Sequence, residues 1–125
     1  MIVLTSSAKT IVLVVEDDSL IRMLAVVTVE EAGFDVLEAE SADDAIRILE
    51  SRGDVRVVFT DIDMPGSMDG LMFAIAVRGR WPPIEIILTS GHRAVAKKDM
   101  PESSVFIAKP YESRRVIDVL RDMAA

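Results

Sequence analysis

The chain contains no cysteine and a single histidine, His92. The first absence excludes disulfides, thiol catalysis and cysteine-ligated zinc. The second excludes a metal site built from histidines. No apolar run approaches the length of a membrane-spanning helix, about 20 residues. No charged segment precedes an apolar one at the N-terminus, so no secretory signal is read and a cytoplasmic location is expected. Positive charge is also short: 14 Lys and Arg stand against 21 Asp and Glu, a formal net charge of -7. That sign repels phosphate backbones, so neither a nucleic-acid nor a membrane partner is expected. No linker, internal repeat or low-complexity segment divides the 125 residues, half of which are hydrophobic. One domain with one core fits that length and composition. Residues 1–9 are expected to form an N-terminal extension and residues 10–125 the domain.

What is present alternates between two patterns. Ile11-Val12-Leu13-Val14-Val15 is an unbroken, β-branched run, as a strand buried on both faces requires. A helix follows, capped by Asp18 or Ser19, with Leu20, Leu24 and Val27 as its apolar face and Gly33 beyond its end. Phe34 to Glu38 reads as a second strand. Ser41 and Asp44 have the spacing of a capping box ahead of a helix carrying Ala42, Ala45, Ile46 and Leu49. Val55 to Thr60 is a third strand, and Asp69 caps a helix with Phe73, Ala74 and Val77 on its apolar side. Ile84 to Leu88 and Val105 to Ala108 are the fourth and fifth strands, and a last helix carries Val116, Val119, Leu120 and Met123. Strands buried on both faces and joined by helical crossovers predict a parallel, doubly wound α/β sheet.

In such sheets the ligand site lies beyond the carboxyl ends of the strands. There the chain places Glu16 and Asp17, then Asp61, then Thr89, then Lys109, while the second strand offers only Glu38. Carboxylates at close quarters repel one another unless a cation shares the site. Mg²⁺ suits hard oxygen ligands and is often held by one or two carboxylates plus phosphate oxygens. A lysine adds a point charge on a phosphoryl oxygen, a threonine hydroxyl can donate to another, and a carboxylate can itself be the nucleophile. Each part alone has a plainer reading. Glu16, Asp17 and Asp18 could be a solvated helix start, Asp61 to Gly70 an ordinary turn, and Lys109 a surface lysine. Their joint placement at four strand ends reads instead as a Mg²⁺-dependent aspartyl-phosphate site.

Val14-Val15-Glu16-Asp17-Asp18, Asp61-Ile62-Asp63-Met64-Pro65 with Met68-Asp69-Gly70, Leu88-Thr89-Ser90 and Lys109-Pro110 occur in this order and spacing over residues 10–124. With them the chain resembles the receiver domain of bacterial two-component response regulators. The resemblance implies a flavodoxin-like sheet of order 2-1-3-4-5 with Asp61 as phosphoacceptor. It implies Mg²⁺ held by Glu16, Asp17, Asp61 and the backbone carbonyl of Asp63. It also implies that Thr89 and Lys109 contact the phosphoryl group, that Thr89 and Phe106 act as switch residues, and that the Lys109-Pro110 bond is cis. The implied phosphodonor is a sensor histidine kinase or a histidine phosphotransfer protein, and the output is contact with a downstream protein the sequence does not name. Such a domain is not a turnover enzyme. With no output domain after the last helix, Met1 and the Met123-Ala124-Ala125 tail suggest a stand-alone protein rather than a piece of a hybrid kinase.

Several features depart from the commonest family pattern. The turn Gly66-Ser67-Met68-Asp69-Gly70 carries one extra residue. The Asp63 side chain either adds an acid to the rim or points to water, the second reading being preferred, and Gly91 leaves a gap; at these positions the resemblance implies control of phosphoryl lifetime. Between the fourth and fifth strands, Pro101 bars a helix from continuing and Ala94, Val95 and Ala96 bury little. The helix usual there is predicted to be short or mobile, as in a subgroup of single-domain receivers with Pro-Tyr or Pro-Phe after the lysine, here Pro110-Tyr111. His92, Lys97 and Lys98 read as solvated. Two other readings keep nearly the same fold. Asp61-Ile62-Asp63 is also the Asp-x-Asp of haloacid-dehalogenase-like phosphatases, although the acidic pair precedes the nucleophile strand and no cap domain is present. A pseudo-receiver working without phosphorylation is the other.

Overall fold

The computed structural model describes residues 9–125; most of the 1–9 extension therefore lies outside the described residues. Five strands, β1 (Ile11–Val15), β2 (Asp35–Ala39), β3 (Val55–Asp61), β4 (Glu85–Ser90) and β5 (Ser104–Ala108), form one parallel sheet in the order β2-β1-β3-β4-β5. The predicted topology holds, with strand ends moved by one or two residues. The α-helices are α1 (Ser19–Glu31), α2 (Ala42–Ser51), α3 (Gly70–Arg80) and α4 (Ser113–Ala124).

Strand side chains alternate between faces, and both faces are covered. Leu13, Val15, Val58, Ile86 and Leu88 pack with Ala42, Ala45 and Leu49 of α2 and Phe73, Ala74 and Val77 of α3. Val12, Val14, Val57, Phe59 and Ile87 pack with Ala25 and Val29 of α1 and Val116, Val119, Leu120 and Met123 of α4. Each fully buried aliphatic or aromatic side chain stabilises the fold by roughly 1.5–3 kcal/mol.

Caps set the helix starts. The Asp18 carboxylate accepts from the amides of Leu20 and Ile21, Ser41 Oγ from that of Asp44, and Asp69 from that of Met72. One expectation is corrected here. Leu20, Leu24 and Val27 do not face the core: they are 60%, 58% and 44% exposed, and Ala25 and Val29 are buried instead. α1 is apolar almost all round, so periodicity alone could not choose its inner stripe. The choice comes from the Asp18 cap and from Arg22, whose guanidinium donates to the Glu16 carbonyl at 2.9 Å and to Glu38 at 3.2 Å.

Between β4 and β5 the only helical turn is a three-residue 3-10 turn, Lys97–Asp99. The helix usual at this place is absent, in line with the predicted weakness. Val95 and Met100 pack against the core on the α2–α3 side in its stead. Arg78 anchors the end of the segment by donating to the Glu102 carbonyl at 2.8 Å.

Candidate functional site

Backbone register delivers the site residues to one edge. Asp61 is the last residue of β3 and pairs with Thr89 on β4. The Ile62 amide donates to the Thr89 carbonyl at 2.9 Å, and the Lys109 amide to the Ser90 carbonyl at 3.0 Å. On the other side the Glu16 amide donates to the Ala39 carbonyl at 3.1 Å. The parallel strands therefore end level, and the residues after them share one rim.

Glu16 and Asp61 are each 5% exposed, and Lys109 Nζ lies between them, 3.3 Å from Glu16 Oε1 and 3.4 Å from Asp61 Oδ1. Asp17 is exposed, yet Glu16, Asp17 and Asp61 each place a carboxylate oxygen within 4.8 Å of the others. Burial pushes the Asp61 carboxyl above its ordinary range despite the Lys109 ammonium and the Asp63 amide. Burial also raises Glu16, helped by the Asp61 charge and opposed by the Asp18 amide and Lys109. Burial alone would lower Lys109, but the charges of Asp61 and Glu16 outweigh it and its value rises. One ammonium thus offsets part of the charge of three crowded carboxylates. The residual negative charge, carried on hard oxygens and open to solvent through Asp17, fits a divalent cation such as Mg²⁺.

Thr89 is 3% exposed, and its Oγ1 is buried with no hydrogen-bond partner among the described residues. Such an unmet hydroxyl costs on the order of 1 kcal/mol or more. It borders a small void together with Asp61, Glu16, Phe59 and Tyr111. Phe106 is half-buried on β5 and packs on the α2–α3 side. Glu38 is not brought into the site; it is the partner of Arg22. The Lys109-Pro110 bond is cis.

Asp63 takes the less favoured of its two expected placements, at the rim. Its amide donates to Asp61 Oδ1 at 3.4 Å, but its carboxylate does not simply point to water: it accepts from the Ser90 hydroxyl and lies 3.8 Å from Arg93 Nε. Ser90, Arg93 and Arg22 are site neighbours that sequence reasoning missed. Ser90 follows Thr89 directly, which was a usable signal. Arg93 lay in a segment without periodicity, so nothing tied it to the rim.

The comparisons agree with this geometry. The family model for the response regulator receiver domain matches residues 12–121. The response regulator receiver protein CpdR of Brucella abortus (strain 2308) is 29% identical over 115 residues, covering 90% of this chain and 94% of CpdR. The sensor kinase CckA of the same organism is 31% identical over 121 residues, covering 94% of this chain and 13% of CckA. The chain spans 23% of the response regulator protein FleR of Pseudomonas aeruginosa and 25% of the regulatory protein DctD of Rhizobium meliloti, so it is only a part of these longer relatives in length. A response regulator receiver protein from Sinorhizobium medicae WSM419 superposes with a TM-score of 0.87 at 27% identity, covering 94% of this chain and 96% of that one. With its sheet order, its strand-end carboxylates and lysine, and a family model spanning nearly its whole length, the chain belongs to the response regulator receiver domain family.

Proposed function

We propose that the chain is a receiver that accepts a phosphoryl group on Asp61 from the phosphohistidine of a sensor histidine kinase or a histidine phosphotransfer protein. Residues 10–125 form the receiver. The observation that carries the reading is the buried Asp61 carboxylate, held 3.4 Å from Lys109 Nζ beside Glu16 and Asp17 at the strand ends.

In the transfer an Asp61 oxygen bonds to phosphorus. The bond from phosphorus to the donor's imidazole nitrogen breaks, and its electron pair stays with the nitrogen. Glu16, Asp17, Asp61 and the backbone carbonyl of Asp63 would hold Mg²⁺, which when bound neutralises charge on the phosphoryl oxygens. Lys109 Nζ donates to a phosphoryl oxygen. The Thr89 hydroxyl, which has no partner at rest, donates to another. Turning Thr89 toward the phosphoryl group changes the space available to Phe106, and the adjoining surface carries the change to a downstream protein as a shift between two populated states.

Intact-mass spectrometry during incubation with acetyl phosphate tests this. A labile adduct of one phosphoryl group is expected, dependent on Mg²⁺ and absent in Asp61→Asn. A folded protein that takes no adduct from acetyl phosphate or from a phosphorylated histidine phosphotransfer domain, or that keeps the adduct after Asp61→Asn, refutes the assignment.

A further inference from the structure

Three side chains at the rim have no role in the transfer described above: Asp63, Ser90 and Arg93. They form a connected set. Asp63 accepts from the Ser90 hydroxyl, and Ser90 Oγ in turn accepts from the amides of His92 and Arg93 at 3.1 and 3.2 Å. The Arg93 guanidinium reaches both ends of the loop that follows the acceptor. Its Nε is 3.8 Å from Asp63 Oδ1, and its Nη2 is 3.1 Å from Asp69 Oδ2. Asp69 caps α3 immediately before Gly70, which packs on the Asp61 carbonyl. One side chain from the segment after β4 therefore spans the loop between β3 and α3. Its neighbour Gly91 carries no side chain over the site, and a β-carbon there would touch only the Lys109 stem, at 3.6 Å. Arg93 is then the residue of this segment whose side chain bridges the two ends of the acceptor loop.

Resting on the proposed phosphorylation of Asp61, we infer that Arg93 is a positioning residue that prolongs the phosphoryl state. Paired with Asp63 and Asp69, it straps the helix-poor segment across the acceptor loop and restricts water at the phosphorus. In the hydrolysis it opposes, a solvent water oxygen bonds to phosphorus. The bond from phosphorus to the Asp61 oxygen breaks, with its electron pair returning to the carboxylate. The water proton passes to solvent, and inorganic phosphate leaves. Both ion pairs are partly exposed, and such pairs are individually weak. The expected effect is therefore a modest change in how often the rim opens.

The decay of the phosphoryl adduct, followed by intact mass after removal of acetyl phosphate, tests the inference in wild type, Arg93→Ala, Arg93→Lys, Asp63→Asn and Asp69→Asn. Asparagine caps a helix as well as aspartate does, so Asp69→Asn removes the charge and keeps the cap. Arg93→Ala should shorten the half-life by roughly 2- to 10-fold, the range two weak pairs allow. Both Asp→Asn changes should shorten it too, without adding to Arg93→Ala, and Arg93→Lys should restore part of it. A half-life unchanged in Arg93→Ala overturns the strap. So do Asp→Asn changes that lengthen the half-life, because opposite signs mean that net charge alone is at work. If Asp61 takes no phosphoryl group, the parent reading has failed, and amide exchange of the unmodified protein decides the strap itself. Arg93→Ala should then speed exchange at residues 92 and 93, and unchanged exchange there overturns it.

Discussion

Gly70 is the position where the sign of a mutational effect separates tertiary structure from local propensity. A β-carbon at residue 70 would stand 1.8 Å from the Asp61 carbonyl oxygen and 2.7 Å from the Asp61 carbonyl carbon and the Ile62 Cα. Ordinary contact begins near 3.5 Å, so one backbone must retreat by more than an ångström. Both backbones are tied: the Gly70 amide donates to the Ile62 carbonyl at 2.9 Å, and the Ile62 amide to the Thr89 carbonyl at 2.9 Å. Overpacking with a backbone shift costs about 1–3 kcal/mol, and a weakened hydrogen bond adds about 1 kcal/mol. The helix propensity gained on replacing glycine by alanine returns at most about 1 kcal/mol. Gly70→Ala should therefore destabilise the fold by roughly 1–3 kcal/mol, against a propensity-based expectation of a gain. Gly79, in the same helix, is the control. Nothing lies within 4 Å of a β-carbon built there, so Gly79→Ala should stabilise by about 0.5–1 kcal/mol. Urea denaturation reads both. At a slope of about 1–3 kcal/mol/M the Gly70→Ala midpoint should fall by on the order of 1 M. The shift also moves the main chain of Asp61, so the initial rate of adduct formation should drop by about tenfold or more. A Gly70→Ala protein as stable as wild type would refute the reasoning.

Thr89→Val removes a buried hydroxyl that has no partner; it should raise stability by about 1 kcal/mol in a thermal melt while removing any Thr89-dependent response to phosphorylation, and a clear loss of stability would contradict the unmet hydroxyl. Asp61 has a raised carboxyl in the fold. The native state therefore binds its proton more tightly than the unfolded chain does, and the group's contribution to stability falls as pH rises from the ordinary carboxylate value through the raised one. Asp61→Asn should thus raise the melting temperature at pH 7 without Mg²⁺, the gain shrinking toward pH 4; a gain that does not depend on pH would count against it. Added Mg²⁺ should raise the melting temperature of wild type by mass action, with little effect in Asp17→Asn, as measured by scanning calorimetry. On α1, Leu24→Ser should cost under about 0.5 kcal/mol and Val29→Ala about 1–3 kcal/mol, because Leu24 is 58% exposed and Val29 fully buried; equal costs would place the helix in the other phase.

Much of this protein was legible in its sequence, for local physical reasons. Short runs rich in Val and Ile, unbroken in β1 and interrupted by single charged residues in β3 and β4, read as buried strands, and helical crossovers between them point to a parallel sheet. Once the strands are located, their carboxyl ends are known, and Glu16, Asp17, Asp61, Thr89 and Lys109 fall on one rim. Asp18, Ser41 and Asp69 announce helix starts because a side-chain oxygen satisfies amides only a few residues away. Pro101 and the sparse small residues around it account for the missing helix.

Three things required the tertiary structure. The inner face of α1 was ambiguous because apolar residues lie on every side of that helix between Leu20 and Val29; the cap and Arg22 set its rotation against the sheet. The raised values of Glu16, Asp61 and Lys109 depend on burial and on distances between residues up to 93 positions apart, which no local pattern encodes. The partners of Asp63 were hidden for the same reason. Ser90, at the end of β4, and Arg93, in a segment with no periodicity, meet it across 27 and 30 positions. Local sequence determines which elements form and which residues end them, because those preferences act within a few residues. Rotation, burial and charge pairing between distant residues are decided only when the sheet brings the strand ends together.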